Sequence, residues 1–331
     1  MVVDGNIKLF DPSSPNDSLE SINEKLNDNQ TSFALGDLSN TTFWISAATL
    51  YVHKSNKIEN INHTISETSK IIQDLTHEKK SDDKKKKEVV QHYKALCDVF
   101  KKRNEPLSVE MIKEWHAILM NGAMPNPGQF RQQEVITGNK LFIEYKSIPS
   151  LLETLVNKYN LFVQKEAREH INNRSKQTPY SLAAWISHAF LTIHPFLDGN
   201  GRISRLLENY VLFEFGFPFP IPAFDNKEDY LGALRQADRD FKNGRNTSQL
   251  AHLILNGSNK IYTMYLANNA LKQELKNDVR ASTEVKDIPY PSYDFYYNEN
   301  SNMVKASYKS METKYSTILL LENVVYYQRL K

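Results

Sequence analysis

The stretch Ile193-His194-Pro195-Phe196-Leu197-Asp198-Gly199-Asn200-Gly201-Arg202-Ile203-Ser204-Arg205 gathers most of the chain's readable chemistry. Gly199, Asn200 and Gly201 let the backbone approach an anion. The free amides and dipole of a helix starting there would favour phosphate. Arg202 and Arg205 stand three apart, on one side of the first helical turn, and add two forked donors for further phosphates. Asp198 offers a hard oxygen of the kind Mg²⁺ uses when it bridges one carboxylate and nucleotide phosphates. His194, fixed at a helix end with a pKa expected near neutral, is placed to take the proton of an attacking hydroxyl. Together these residues describe a site for phosphate-group transfer.

Such a loop needs rigid walls, and the sequence supplies them. Upstream, Leu182, Ile186, Ala189, Phe190 and Ile193 recur at helical spacing; downstream, Ile203, Leu206, Leu207 and Tyr210 do the same. The wider pattern is helical: from Phe43 to Val52, then about Ile65–Leu75, Val89–Lys102, Ser108–Met120, Ile148–Val163, Ser181–Ile193, Ile203–Phe215 and Glu228–Phe241. Val135–Ile136 and Leu141–Tyr145, set among Pro and Gly, predict one small hairpin. The expected class is all-α, a helical bundle with a small β-hairpin flap. We divide the chain into a polar lead-in (1–40), a helical region (41–80), a catalytic domain (81–260), and a C-terminal helix with a tyrosine-rich, turn-rich tail (261–331).

The 331 residues carry 41 Lys and Arg against 39 Asp and Glu, a net charge of +2, so no strong field points to nucleic acid or an anionic membrane. One cysteine, Cys97, cannot form an internal disulfide and reads as a core residue. The longest apolar run, about Phe43–Val52, is too short to span a bilayer, and the opening residues lack a signal-peptide pattern. A soluble cytoplasmic protein is expected. Lys84–Lys87 reads as a solvated helix start or loop, and His188 as an ordinary packed residue.

The string HPFLDGNGRISR resembles the signature of the Fic family, H-x-F-x-[D/E]-G-N-G-R-x-x-R, at every specified position. Gly128-Gln129-Phe130-Arg131 with Val135 resembles the family's G-x-F-R-x-x-x-V approach to the flap. The resemblance implies the Fic fold and transfer of AMP from Mg-ATP to a Ser, Thr or Tyr hydroxyl of a target protein. By it, His194 is the general base, Phe196 an apolar anchor, Asp198 the magnesium ligand, and Gly199, Asn200 and Gly201 the phosphate cradle. Arg202 and Arg205 hold the outer phosphates. Leu141, Phe142, Ile143, Glu144 and Tyr145 form the flap that pins the target's extended segment. Tyr230 is an adenine neighbour or a core residue. Asp238 stands where relatives often place Asn, which changes what that helix offers a base.

Ser55-Asn56-Lys57-Ile58-Glu59-Asn60 resembles the family's inhibitory motif, [S/T]-x-x-x-E-[G/N]. On a helix Ser55 and Glu59 share a face and Asn60 is a reasonable stop. The resemblance implies a brake in which Glu59 pairs with an arginine, Arg205 by expectation, and takes the γ-phosphate's place. It also implies a homodimer that tunes the brake. Three other readings stay open: removal of AMP from a modified target, transfer of another nucleotide or phosphate group, and a catalytically silent helical module that binds phosphate.

Overall fold

The computed structural model of the chain describes residues 42–76, 84–137, 140–169, 178–222, 226–239 and 246–281, with four strands between 293 and 328. The polar lead-in lies outside the described residues, as does Phe241. The helices are α1 (Thr42–Ile58), α2 (Ile65–Thr76), α3 (Lys84–Lys101), α4 (Val109–Leu119), α5 (Ile148–Glu169), α6 (Thr178–Ile193), α7 (Asn200–Glu214), α8 (Lys227–Arg239) and α9 (Ser248–Ala281). The bundle is all-α, as the spacing implies. No described helix is long and apolar enough to cross a membrane.

Local chemistry sets several helix ends. Ser108 accepts from the Met111 amide at 3.1 Å and starts α4. Thr64 and Glu67 exchange backbone–side-chain bonds of 2.8 and 3.2 Å, a capping box that starts α2. At the end of α1, Ile61 N–H returns to Asn56 O and Asn60 N–H to Lys57 O, both at 3.1 Å, with Asn60 at φ 60°. This is a Schellman stop with Asn60 in the left-handed position, and it leaves Glu59 at the cap.

α7 is buried from Arg202 through Phe213, so it is the central rod of the bundle and not a surface helix. α6, α3, α1 and α4 pack around it. Trp44 of α1, Phe100 of α3 and Phe213 of α7 link these layers through ring contacts of 5.6 and 5.0 Å.

Four features differ from the sequence reading. α1 continues through the polar residues His53 to Asn56, all buried, because those polar groups find partners inside. Asn56 Oδ1, for example, accepts from His92 Nδ1 at 2.7 Å. α9 runs unbroken across position 260, so no structural boundary falls there. The tail forms an antiparallel meander, β3 (Tyr293–Asn298), β4 (Met303–Tyr308), β5 (Ser316–Leu320) and β6 (Tyr327–Gln328), where turns were expected; its tyrosines and β-branched residues favour strands. Cys97 is half-buried at the core's edge, and burial pushes its thiol up to about 11. Lys84 does begin a helix, with Lys86 and Lys87 exposed.

The hairpin is short. β1 (Ile136–Thr137) pairs with β2 (Lys140–Leu141), and Phe142 N–H adds one bond to Val135 O at 3.1 Å. Strand geometry ends there: Tyr145–Ser147 is a 3-10 turn leading into α5, so Glu144 and Tyr145 belong to the turn and not to a strand.

Candidate active site

α6 stops at Ile193, and His194 follows with φ 52°, a left-handed conformation that costs a non-glycine residue about 1 kcal/mol or more. Several contacts hold it there. His194 N–H bonds to Phe190 O at 2.9 Å, and Arg131 Nε donates to His194 O at 2.8 Å. Arg131 N–H also takes Pro195 O at 2.9 Å, while its guanidinium reaches Gln133 O and Ile143 O in the flap. Arg131, 1% exposed, therefore ties the His194 loop to the flap.

Phe196 is fully buried, as an anchor should be, and stacks on the imidazole of His116 at 3.7 Å. His116 Nδ1 accepts from Gly128 N–H at 2.8 Å, so Nε2 carries the proton and donates to Asp198 O at 3.0 Å. Burial holds this imidazole down at about 4, neutral and suited to that role. Asn200 closes the loop on itself: Oδ1 accepts from Phe196 N–H at 3.0 Å and Nδ2 donates to Phe196 O at 2.8 Å. Its side chain is thus engaged inside the loop, and only its backbone amide can face a phosphate. Gly199 has φ 78°, and a β-carbon there would stand 2.9 Å from Met120 Sδ.

On the phosphate side, α7 begins at Asn200 and its first amides have no helical acceptor. Arg202 is 5% exposed; Nη2 meets only the weak acceptor Met120 Sδ at 3.4 Å, and Nε is without a hydrogen bond. A buried guanidinium so poorly matched suits an anion. Asp198 is exposed; one oxygen takes Gly199 N–H at 2.6 Å and the other can bind a cation. Among the described residues no group of three or more His, Cys, Asp and Glu could hold a metal ion. The free carboxylate oxygen of Asp198 is a hard donor of the kind Mg²⁺ would use.

The structure brings Ser55, Glu59 and Arg205 together. Arg205, 1% exposed, donates from Nε to Ser55 Oγ at 2.7 Å and from Nη2 to Ser55 O at 3.0 Å and Glu59 Oε1 at 2.7 Å. A β-carbon on Gly201 would collide with Glu59 Oε1, so that carboxylate lies against the start of α7. Burial pushes the Glu59 carboxyl up, but the charge and hydrogen bond of Arg205 outweigh it, and the group ends below its ordinary value. Asn60 Oδ1 accepts from Lys227 Nζ at 2.9 Å, which joins the end of α1 to the start of α8.

Two expectations change. His194 is not near neutral: burial first, then the Arg131 charge, hold it down at about 4, and Phe142 stacks on it at 3.8 Å. Of the two readings of Tyr230 the structure has the core one: it is fully buried, with its ring 5.6 Å from the Arg205 guanidinium. His188 is buried but not idle, since Nε2 donates to Asp238 at 3.2 Å. Of the flap residues, Leu141 is exposed and Phe142 covers His194, while Ile143 packs against the core.

Three contributors were given no role from the sequence. His116 and Arg131 work through backbone groups, and only Arg131 carried a sequence signal, through the G-x-F-R string. Glu208, one turn beyond Arg205 on α7, is buried and accepts from Ser187 Oγ at 2.7 Å; burial pushes it up to about 7.

The Fic/DOC family model matches residues 106–212. A Fido domain-containing protein of Dictyostelium discoideum is 43% identical over 149 residues, 45% of this chain and 98% of that protein. Protein adenylyltransferase Fic of Nematostella vectensis is 31% identical over 137 residues, 41% of this chain but 30% of that protein, so the chain spans under a third of that enzyme's length. A crystal structure of a Fic domain-containing signalling protein from Bacteroides thetaiotaomicron has a TM-score of 0.59 at 23% identity, covering 74% of this chain and 97% of that one, and shares the fold. With the signature loop in place between α6 and α7, and a relative matched over nearly its whole length, the chain belongs to the Fic/DOC family.

Proposed function

We propose that this chain is a protein adenylyltransferase that moves AMP from ATP to a Ser, Thr or Tyr hydroxyl of a target protein and is restrained by Glu59. The observation that carries the reading is the joint geometry of one loop and one helix start. A neutral imidazole at His194 stands beside open α7 amides, and two buried guanidiniums line the same helix. The name of the Nematostella relative supports the activity.

In this account the α- and β-phosphates of ATP lie at the start of α7, over Gly199 to Gly201, with Arg202 and Arg205 holding the outer phosphates. Asp198 would hold Mg²⁺, which supplies charge neutralisation on the phosphates when bound. His194 takes the hydroxyl proton at a ring nitrogen as the target oxygen bonds to the α-phosphorus. The bond to the bridging oxygen breaks and pyrophosphate leaves, its charge met by the arginines and amides. Ile136 and Leu141, a cross-strand pair that is 66% and 63% exposed, give the flap an apolar edge for a target's extended segment.

Glu59 opposes this by occupying the outer-phosphate position with a carboxylate of the same charge. A contact of about 1–3 kcal/mol would cut turnover about 5- to 150-fold. The same placement supports a second reading, in which Glu59 orients a water to remove AMP from a modified target.

The test is label transfer from α-labelled and, separately, γ-labelled ATP with Mg²⁺, comparing Glu59→Gly with Glu59→Gly, His194→Ala. Transfer of the α-label alone, lost in the double variant, is the expected result. Transfer of the γ-label would replace the reading with phosphoryl transfer. Silence with ATP alongside release of AMP from a modified protein would favour the removal reaction.

A further inference from the structure

Lys140 of β2 donates to both carboxylate oxygens of Asp238 on α8, at 2.7 and 2.8 Å. From beneath, buried His188 of α6 donates from Nε2 to the same carboxylate at 3.2 Å. The three groups come from the flap, α8 and α6, so the contact spans from the flap to the bundle. Phe142 stands two residues beyond Lys140, just past the end of β2. Its ring lies on the His194 imidazole, with centroids 3.8 Å apart and planes at 21°. The Lys140 ammonium sits 5.5 Å from the Phe142 centroid. Asp238, Lys140, Phe142 and His194 thus form one continuous stack, from α8 to the loop.

This arrangement has a consequence for access. A target hydroxyl and an α-phosphate need the volume beside His194 that Phe142 fills. We propose that the Lys140–Asp238 pair, seated on His188, is a gate: it holds Phe142 over His194, and a target segment opens it by pairing with the flap and drawing Lys140 away. The inference rests on the reading of His194 as the reacting base. The pair is bidentate yet 44% and 38% exposed, so it is worth a few-fold in an equilibrium, which suits a closure that a docking segment must reverse. Asp238 is then a positioning residue that acts through the flap.

The experiment is diethyl pyrocarbonate labelling of the full chain without nucleotide, read at His194 by peptide mass mapping. Asp238→Asn and Lys140→Met should each speed labelling of His194 about two- to five-fold. His116, stacked beneath Phe196, should keep its rate and so report an intact fold. The paired exchange Lys140→Glu, Asp238→Lys should return His194 toward the slow rate. Salt near 1 M should speed the wild type and leave the single variants unchanged. Equal His194 rates in the wild type and both single variants would overturn the gate, as would faster labelling that the paired exchange fails to slow. Because the readout needs no turnover, absence of AMP transfer would refute the catalytic reading while labelling still judged the gate.

Discussion

Glu59 Oε1 lies 2.7 Å from Arg205 Nη2 and against Gly201, so a carboxylate at the C-terminal cap of α1 is seated at the N-terminus of α7. The negative end of its own helix disfavours that charge, and the positive end of the other favours it. Glu59 is therefore placed for α7 and not for the stability of α1. A carboxylate held where a helix start would cradle phosphate is the structural basis for the proposed restraint.

Removing Glu59 should also change stability. Arg205 is 1% exposed, and losing its carboxylate partner leaves a buried cation poorly compensated. Glu59→Gly should lower the Tm of the nucleotide-free chain, and Mg-ATP should raise it more in the variant than in the wild type, because a phosphate replaces the lost charge. Differential scanning fluorimetry checks this. Equal ATP-induced shifts would mean that Glu59 does not compete with the nucleotide.

The restraint should not titrate near neutrality. The Glu59 carboxyl is held below its ordinary value, so its ionised contact is fully present above the unfolded carboxyl's range and is lost only as pH falls through the lowered folded value. The ratio of Glu59→Gly to wild-type activity should stay flat between about pH 6 and 8. A ratio that collapses toward one at the acid end of that range would show another group holding the brake.

Glu208 should titrate where Glu59 does not. Its folded carboxyl is pushed up to about 7 by burial, so ionising it costs stability as pH rises from the unfolded value near 4.5 through about 7. Glu208→Gln removes that cost and should gain Tm over the wild type at about pH 8, with the gain fading by about pH 5. Tm differences that do not depend on pH would mean Glu208 is ionised throughout, with Arg205 as its counter-charge.

Gly199→Ala should fail at the loop itself. The position has φ 78°, and the new methyl would stand 2.9 Å from Met120 Sδ, costing about 1–3 kcal/mol. Transfer in the Glu59→Gly background should drop sharply while the helical circular dichroism signal persists. Full activity would show that the loop tolerates a different backbone.

The loop from His194 to Arg205 was legible because its residue types and spacing sit in one continuous segment, and Ser55 with Glu59 because a short string resembling the family's inhibitory motif puts them at helical spacing on one face. His116 was not, since its work is to hold two backbone groups from opposite sides, Gly128 N–H and Asp198 O, which no spacing reveals. The clasp between Lys140 and Asp238 joins residues 98 apart, and the burial of the polar end of α1 rests on distant partners such as His92 that spacing does not reveal. The pKa of His194 escaped prediction for a related reason, because Phe142 and Arg131 reach it only through the fold.

The most direct measurement is the initial rate of AMP transfer from α-labelled Mg-ATP by the wild type and Glu59→Gly under identical conditions. The account predicts a rate about 5- to 150-fold higher in the variant. Equal rates in two active proteins would contradict it, leaving the Glu59–Arg205 pair as a structural contact and not a brake.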